Sequence, residues 1–201
     1  MTVGYSSKGA ISLIGLVAPS TRPRSQDVAR RLEAVVRTAR VCSASETLDV
    51  VELLRDLLAL ATKVHDRRWL MPEDFGAHAL HHASECGPIS LTDALVRMRG
   101  ADLYIALACG LRNPAAIAEL ERWIYTEADL VVAPHASVEE VRGLVRDRLL
   151  SPSSAAAPEP LILAYPGVVS LRSWLRVAAV RQMQVLRARL RPSDPLDLAG
   201  K

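Results

Sequence analysis

The sequence predicts an all-α protein built as a multi-helix bundle, and three observations support this fold class. Half of the 201 residues are hydrophobic, but they include only one Phe and four Tyr. The apolar content is mainly Ala, Leu and Val; small and straight-chain residues favour helices, whereas strands prefer aromatic and β-branched side chains. Apolar residues also recur at helical spacing, and capping residues stand where several of these periodic segments begin.

Three helices are predicted in the first part of the chain. Helical spacing indicates one helix at residues 26–40 and a second from an N-cap at Ser45 to about residue 64. Pro72, followed by two acidic residues, predicts the first turn of a third helix. Gly87-Pro88 ends this helix after about residue 85.

Three further segments begin with capping signals. Ser90 predicts the start of a helix that extends to about residue 107, with a break near Gly100. Asn113-Pro114 predicts the start of a helix to about residue 132. Ser137, followed by two glutamates, predicts a helix to about residue 149.

The C-terminal part begins with a segment rich in Ser, Ala and Pro at residues 151–160, which predicts a linker. Tyr165-Pro166-Gly167 predicts a turn. The last predicted helix extends from Ser170 to about residue 190, and Pro192 ends it.

These elements divide the chain into four parts. Residues 1–25 lack a helical period and are expected to form a flexible N-terminal arm. Residues 26–97 form an N-terminal helical region, and residues 98–191 form a second helical domain that contains the linker. Residues 192–201 are a tail.

The composition argues against a membrane or secreted protein. No apolar run approaches the roughly 18 residues that span a bilayer, and the apolar stretch 10–18 lacks a clean small-x-small cleavage site. Cys42, Cys86 and Cys109 are odd in number and widely spaced, which is not typical of a disulfide framework. We therefore expect a soluble, cytoplasmic protein.

The distribution of charge is more informative than the net charge of +3. Between Glu159 and Asp194 there is no acidic residue, while the same stretch holds six arginines. Arginine binds phosphate through a planar, two-pronged fork. The stretch therefore suits a polyanion such as a nucleic-acid backbone.

A helical wheel at 100° per residue separates the last helix into two faces. The apolar face holds Leu171, Trp174, Leu175, Ala178, Val185 and Leu186. About 100° to 200° away lies a row of arginines, with Val180 and Met183 between them; the row is Arg172, Arg176, Arg187 and Arg191. Two interpretations without a ligand remain open: the basic face is solvated, or it pairs with acidic residues of other helices.

Three stretches resemble a subgroup of bacterial RNA polymerase sigma factors. The first is Ala101-Asp-Leu-Tyr-Ile-Ala-Leu-Ala-Cys-Gly110, followed by Asn113-Pro-Ala-Ala-Ile-Ala-Glu-Leu-Glu121. The second is Glu139-Glu-Val-Arg-Gly-Leu-Val-Arg-Asp-Arg-Leu-Leu150. The third and sharpest is Ala164-Tyr-Pro-Gly-Val-Val-Ser-Leu-Arg-Ser-Trp-Leu-Arg-Val-Ala-Ala-Val-Arg181. The resemblance covers about residues 98–191.

The resemblance implies a helical domain that docks on the clamp of core RNA polymerase and captures the melted, single-stranded minus-ten region of promoter DNA. The implied polymerase-binding residues are Glu139, Glu140, Arg142, Arg146 and Asp147. The turn would accept a flipped promoter base, and the implied DNA-binding residues are Tyr165, Gly167, Ser170, Arg172, Arg176, Arg181, Gln182 and Arg187. Trp174 lies on the apolar face, which favours a core role over base stacking.

This chain departs from the family pattern in three places. It ends ten residues after Arg191, without the helix-turn-helix domain that reads the minus-thirty-five element. Gly143 and Leu144 stand where many sigma factors carry Gln and Glu, and the turn lacks the basic residue often found there. We therefore expect a truncated or repurposed sigma-like transcription protein.

Other groups of residues give weaker indications of a metal or catalytic site. His78, His82 and Cys86 recur every four residues on one predicted helix, with Asp74 one turn earlier, but this spacing suits a compact tetrahedral zinc site poorly. No nucleophile elbow, Gly-rich phosphate loop or acid/base pair is present in the sequence. We expect no enzymatic activity, no metal and no cofactor.

Two alternatives to a DNA-binding factor remain. A helical protein–protein adaptor could retain the sigma-like fold and bind an acidic partner, such as an anti-sigma factor, in place of DNA. A metal or redox enzyme would require tightly bound zinc or iron. A further hypothesis is autoinhibition, in which Asp49, Glu52 and Asp56 shield the basic helix.

Overall fold

The computed structural model describes residues 25–39, 43, 46–65, 68–130, 137–154 and 157–190. These ranges contain eight α-helices, one 3₁₀ turn and one pair of short strands, so the predicted all-α class is confirmed. The elements in chain order are α1 (Ser25–Ala39), α2 (Thr47–Val64), α3 (Pro72–Ser84), α4 (Leu91–Arg97), α5 (Gly100–Gly110), α6 (Pro114–Asp129), α7 (Val138–Leu150), β1 (Pro152–Ser154), β2 (Ala157–Pro160), the 3₁₀ turn (Leu161–Ala164) and α8 (Leu171–Leu190). The predicted N-terminal arm and C-terminal tail lie outside the described residues, apart from Ser25.

Local capping chemistry sets the start of three helices, as predicted. Ser90 accepts a hydrogen bond from the Asp93 amide at 3.0 Å, and Ser137 accepts one from the Glu140 amide at 3.4 Å. The Asn113 side chain accepts from two amides of the first turn of α6, each at 3.1 Å. Each cap satisfies amide donors that have no partner within the helix.

Helix α2 begins later than predicted. Its first residue is Thr47, with Glu46 in the N-cap position, and the expected cap Ser45 lies outside the described residues. The Ser43 amide and hydroxyl donate to the Glu46 carboxylate at 2.9 and 2.7 Å. The Glu46 amide donates back to the Ser43 carbonyl at 3.2 Å. These reciprocal bonds fix the chain just before the helix.

The predicted break near Gly100 is confirmed and separates α4 from α5. Met98 is extended, and Arg99 has φ −87° and ψ 79°, so neither continues the helix. The Arg99 amide donates to the Gly167 carbonyl at 2.7 Å. The break therefore connects the start of α5 to the turn that precedes α8.

The predicted linker at 151–160 contains a short antiparallel pair of strands. Pro152 lies opposite Pro160, and Ser154 lies opposite Ala157, with an irregular register between them. The Ser/Ala/Pro composition does not reveal this pairing, because the pairing depends on two short segments meeting rather than on residue preference.

Helix α5 lies at the centre of the structure. All its residues from Leu103 to Cys109 are buried, and it packs against α2, α3, α6, α8 and the 3₁₀ turn. At Gly100 the backbones come close: a Cβ there would lie 2.9 Å from Leu57 Cδ2 and 3.1 Å from the Leu57 carbonyl oxygen. Buried residues on both sides of the predicted boundary at residue 98 thus belong to one continuous core.

Tyr104 joins α5 to the segment before α3. Its buried ring stacks on Trp69 at 5.9 Å between centroids and meets Phe75 at 5.8 Å. Its hydroxyl accepts hydrogen bonds from the backbone amides of Trp69 and Leu70, at 2.7 and 3.2 Å. A single side chain therefore satisfies two backbone donors in a segment without regular secondary structure.

We expect the Tyr104→Phe variant to lose about 1–3 kcal/mol of unfolding free energy, because two buried or half-buried amides lose their acceptor while the ring packing stays. Urea unfolding followed by circular dichroism measures this loss. Tyr125→Phe, at an exposed tyrosine, is the matched control and should change stability by less than about 0.5 kcal/mol. Equal effects of the two substitutions would contradict the role assigned to the Tyr104 hydroxyl.

No helix of the described residues is long and apolar enough to cross a membrane.

Candidate nucleic-acid interface

Helix α8 buries one face against α6, α7 and α5. The buried residues are Leu171, Leu175, Ala179, Met183 and Leu186, with Trp174 and Ala178 partly buried beside them. Most of the predicted apolar face is therefore correct. Val185 is an exception, since it is 41% exposed, whereas Met183 is buried. The buried face is broader on the Ala179 and Met183 side than the wheel suggested, because neighbouring helices cover that side.

The arginines of α8 are exposed to solvent but do not share one side of the helix. At 100° per residue, Arg172, Arg176 and Arg187 border the buried face, and Arg181 lies about 120° or more from them. Arg172, Arg176, Arg181 and Arg187 are all exposed, whereas Arg191 lies outside the described residues. Arg181 and Arg187 form no ion pair within the described part of the chain, and α8 itself contains no acidic residue. The helix thus presents guanidinium groups with little local charge compensation.

Two of these arginines contact α6. The Arg172 guanidinium lies 5.2 Å from the centroid of the half-buried Trp123 ring. Arg176 donates through Nε and Nη2 to Glu127 Oε2, at 2.8 Å in each case. The Glu127 side chain is only 4% exposed, while that of Arg176 remains 52% exposed. One arginine of the row therefore pairs with an acid of another helix. The alternative left open by the sequence had expected such pairing for the whole row.

Exposed valines accompany the arginines on α8. Val177 is 50% exposed, and Val180 and Val185 are also exposed. At 100° per residue, Arg176, Arg187 and Val180 fall within about 40° of one another. The free surface of α8 is therefore both basic and apolar. It suits a nucleic-acid strand, with bases between phosphates, or a protein segment with apolar side chains between carboxylates.

Tyr165 and Gly167, predicted as DNA contacts, are buried in the turn before α8. The Tyr165 hydroxyl donates to the Val169 carbonyl, and its ring meets Trp174 edge-on at 5.7 Å. Burial raises the pKa of Tyr165 above its usual range. Gly167 has φ +76°, a conformation that side chains disfavour. Both residues shape the turn rather than presenting a surface, and the exposed side chains here are Val168 and Val169.

Asp102 holds the N-terminus of α8 in place, a role that sequence reasoning missed. Its Oδ2 accepts from the Leu171 amide at 3.0 Å and from Arg99 Nε at 2.9 Å. Ser170 adds a local cap, since its hydroxyl oxygen accepts from the Ser173 amide at 3.1 Å. The absence of an acid from the first turn of α8 could have signalled that a carboxylate comes from elsewhere.

The predicted polymerase-binding residues of α7 fall into two groups. Arg142 donates to the Asp129 carboxylate at 2.7–3.0 Å, and Arg146 donates to Glu121 at 2.5 Å. These arginines tie α7 to α6. The other group is acidic and exposed, and consists of Glu139, Glu140 and Asp147. Glu139 also lies 3.5 Å from Arg142, and Asp147 lies 3.8 Å from Arg146.

Two of the three acids proposed to shield α8 are engaged on their own helix. Glu52 and Asp56 pair with Arg55 at 2.9 and 3.2 Å, and Asp49 is exposed on α2. Among the described residues, the acid paired with an α8 arginine is Glu127. The autoinhibitory contact predicted from charge is therefore not the contact that the structure shows.

The histidines of α3 pack with one another. The His78 and His82 rings meet edge-on at 4.6 Å, and His82 Nε2 lies 3.0 Å from the Leu163 carbonyl. The Cys86 thiol donates to the His82 carbonyl at 3.3 Å. Within the described ranges, no group of three His, Cys, Asp or Glu side chains is arranged to hold a metal ion. Burial also raises the pKa of the Cys109 thiol to about 12, which disfavours a reactive thiolate.

We expect Asp102→Ala to destabilise the fold by about 1–2 kcal/mol, because α8 loses a cap and Arg99 loses its partner. Urea unfolding followed by circular dichroism provides the measurement. Asp147→Ala removes an exposed aspartate and should cost less than about 0.5 kcal/mol. A loss for Asp102→Ala no larger than for this control would contradict the capping role.

We also expect His78 to make stability depend on pH. Burial, with smaller effects from His82 and His81, lowers the pKa of His78 from 6.5 to about 4. The unfolded chain therefore binds a proton at higher pH than the folded chain does, so stability is lost as the pH falls from 6.5 towards 4.

Replacing this histidine tests that expectation. His78→Phe should remove up to about 3 kcal/mol of the pH-dependent loss between pH 6.5 and 4, as judged from urea unfolding at several pH values. The exposed His81 provides the control His81→Gln, which should keep most of the slope. An unchanged slope in His78→Phe would show that other groups cause it.

Comparisons with known proteins add no family to this picture. No protein-family model matches the sequence, and no curated protein and no solved structure matches the chain. The functional assignment of α8 therefore depends on its charges, exposure and contacts, together with the sequence resemblance.

Proposed function

We propose that the chain is a sigma-factor-like transcription protein, without enzymatic activity, that binds core RNA polymerase and promoter DNA in the cytoplasm. The observation that carries this proposal is the row of exposed arginines on a helix that contains no acid. Guanidinium groups bind phosphate oxygens in a bidentate manner, and such contacts dominate the affinity of nucleic-acid-binding proteins.

The phosphate contacts would come from Arg172, Arg176 and Arg187. At a rise of 1.5 Å per residue, the first and last of these lie about 22 Å apart along α8. A strand of several nucleotides could follow this distance. Arg181 lies further around the exposed face, and the half-buried Gln182 lies at its edge.

The bases would lie against apolar and aromatic groups next to the arginines. Val180 is exposed beside Arg176 and Arg187, and the exposed Val177 lies about 60° further around the helix. The Arg172 guanidinium lies over the Trp123 ring. Base stacking on an aromatic ring is a sequence-tolerant way to bind single strands. In the turn, Val168 and Val169 are available to an unstacked base, while Tyr165, Gly167 and Ser170 keep the turn in position.

The polymerase contact would involve α7. The exposed carboxylates of Glu139, Glu140 and Asp147 form its free surface. Arg142 and Arg146 would act indirectly, because their guanidinium groups are engaged with Asp129 and Glu121. This arrangement is an acidic docking surface on α7 and a basic, DNA-facing surface on α8.

The exposed valines favour one alternative function. An apolar strip flanked by arginines also suits an acidic amphipathic helix from another protein. The chain would then be an adaptor that keeps a sigma-like fold and binds a protein regulator, such as an anti-sigma factor, in place of DNA.

Fluorescence anisotropy of a labelled single strand with a minus-ten-like sequence distinguishes these functions, with and without core RNA polymerase. We expect binding that the polymerase strengthens and that favours single-stranded over double-stranded DNA. Arg172→Ala and Arg187→Ala should each weaken binding by about tenfold and reduce the salt dependence by about one phosphate contact. Arg97→Ala changes an exposed arginine outside α8 and should leave the affinity within about twofold.

Two results would contradict the proposal. Absence of DNA binding in either mixture would favour the adaptor function, in which Val177→Glu should instead abolish binding to a protein partner. Equal loss in Arg97→Ala and Arg187→Ala would show that binding reflects net charge and not the α8 surface. Polymerase docking is separable, because Glu139→Lys and Asp147→Lys should remove the polymerase-dependent gain while leaving binding to DNA alone unchanged.

A further inference from the structure

A concave surface lies in the N-terminal half of the fold. It is a cleft of about 620 Å³ between α1, α2, residues 68–71 and the first turn of α3, and Leu111, just after α5, also lines it. All the described residues that line it come from these parts of the chain, so it is distinct from the exposed face of α8. Its volume falls within the range of about 300–1,000 Å³ that is typical of small-molecule sites.

The walls of the cleft are largely apolar. Val28, Leu58, Trp69 and Leu70 line it and are buried or half-buried. Met71 and Leu111 also line it, and each is 53% exposed. Large apolar side chains that stay exposed around a concave surface are typical of a site that another molecule covers.

Three arginines line this apolar surface. They are Arg31, Arg55 and Arg68, and the one acid among the described lining residues is Asp74. Arg31 pairs with Glu73, and Arg55 pairs with Glu52 and Asp56. An anion in the cleft would therefore meet mainly Arg68, which pairs with no carboxylate of the described residues.

The three guanidinium groups keep free donors. Arg31 binds Glu73 through Nη1 alone. Arg55 binds Glu52 and Asp56 through Nε and Nη2. Arg68 forms no ion pair or hydrogen bond with any residue of the described ranges. Because a guanidinium carries five N–H donors, each of the three can still bind an anion.

We propose that this cleft binds a small amphipathic anion, with an apolar body and one carboxylate or phosphate head. The apolar body would lie between Leu58, Trp69 and Met71, and the head would meet Arg68 with help from Arg31 and Arg55. The volume of about 620 Å³ favours such a ligand over a peptide, which would need a longer groove. The site does not depend on the function proposed for α8.

Isothermal titration calorimetry of the full chain tests the proposal with octanoate and octyl phosphate, each below its micelle-forming concentration. We expect one molecule bound per chain, and the relative affinities of the two probes identify the preferred head. Octanol and octyltrimethylammonium share the apolar body without the negative charge and should bind at least about tenfold more weakly. Equal binding of the cation would overturn the proposal, since it would show apolar attraction alone.

Two variants locate the site. Arg68→Ala should weaken octanoate or octyl phosphate by about tenfold, because a charge-assisted hydrogen bond is lost. Ala59→Trp places a large ring in the cleft from an exposed position on α2 and should abolish binding while circular dichroism remains unchanged. Arg97→Ala, at an exposed arginine away from the cleft, is the matched control.

Three results would overturn the assignment. Neither anion binding at millimolar concentration would exclude the site. Retained affinity in both Arg68→Ala and Ala59→Trp would place the anion elsewhere. Binding lost in Arg187→Ala but kept in Arg68→Ala would assign it to α8.

Discussion

The carboxylate of Asp102 connects α8, which carries the proposed DNA contacts, to the central helix α5. It accepts the Leu171 amide at the start of α8 and the Arg99 side chain at the start of α5. The Arg99 amide in turn binds the carbonyl of Gly167. The helix that carries the arginines therefore begins at a position defined by the most buried helix of the fold, and its direction is set by the core rather than by its own sequence.

Much of the fold could be predicted from the sequence, because much of it is local. Ser90, Asn113 and Ser137 cap helices through bonds within three residues, so their effect is visible in a short window. The bond from Asp102 to Leu171 spans 69 residues, and no local pattern announces it. The same limit applies to Met183 and Val185, whose burial and exposure depend on which helices cover α8. The strand pair at residues 152–160 arises from pairing geometry that composition does not encode.

The candidate interface was predicted in part for the same reason. The arginine row follows from helical spacing, which is a local property, and Arg172, Arg176 and Arg187 are exposed. Tyr165 and Gly167 belong to a turn whose interior depends on tertiary contacts with Val169, Trp174 and Arg99. The pairing of Arg176 with Glu127 likewise joins residues 49 apart in sequence. Charge counted along the chain therefore overstates how many arginines are uncompensated.

The buried Glu127 gives the basic surface an internal competitor. A phosphate that approaches Arg176 must displace or share a guanidinium that already neutralises a carboxylate shielded from water, and an unpaired buried charge is costly. An isolated anion near Arg176 consequently gains little. The extended strand proposed above could instead bind Arg172 and Arg187 together and share Arg176 with Glu127. If the surface binds nucleic acid as proposed, it would thereby favour long strands over single phosphates.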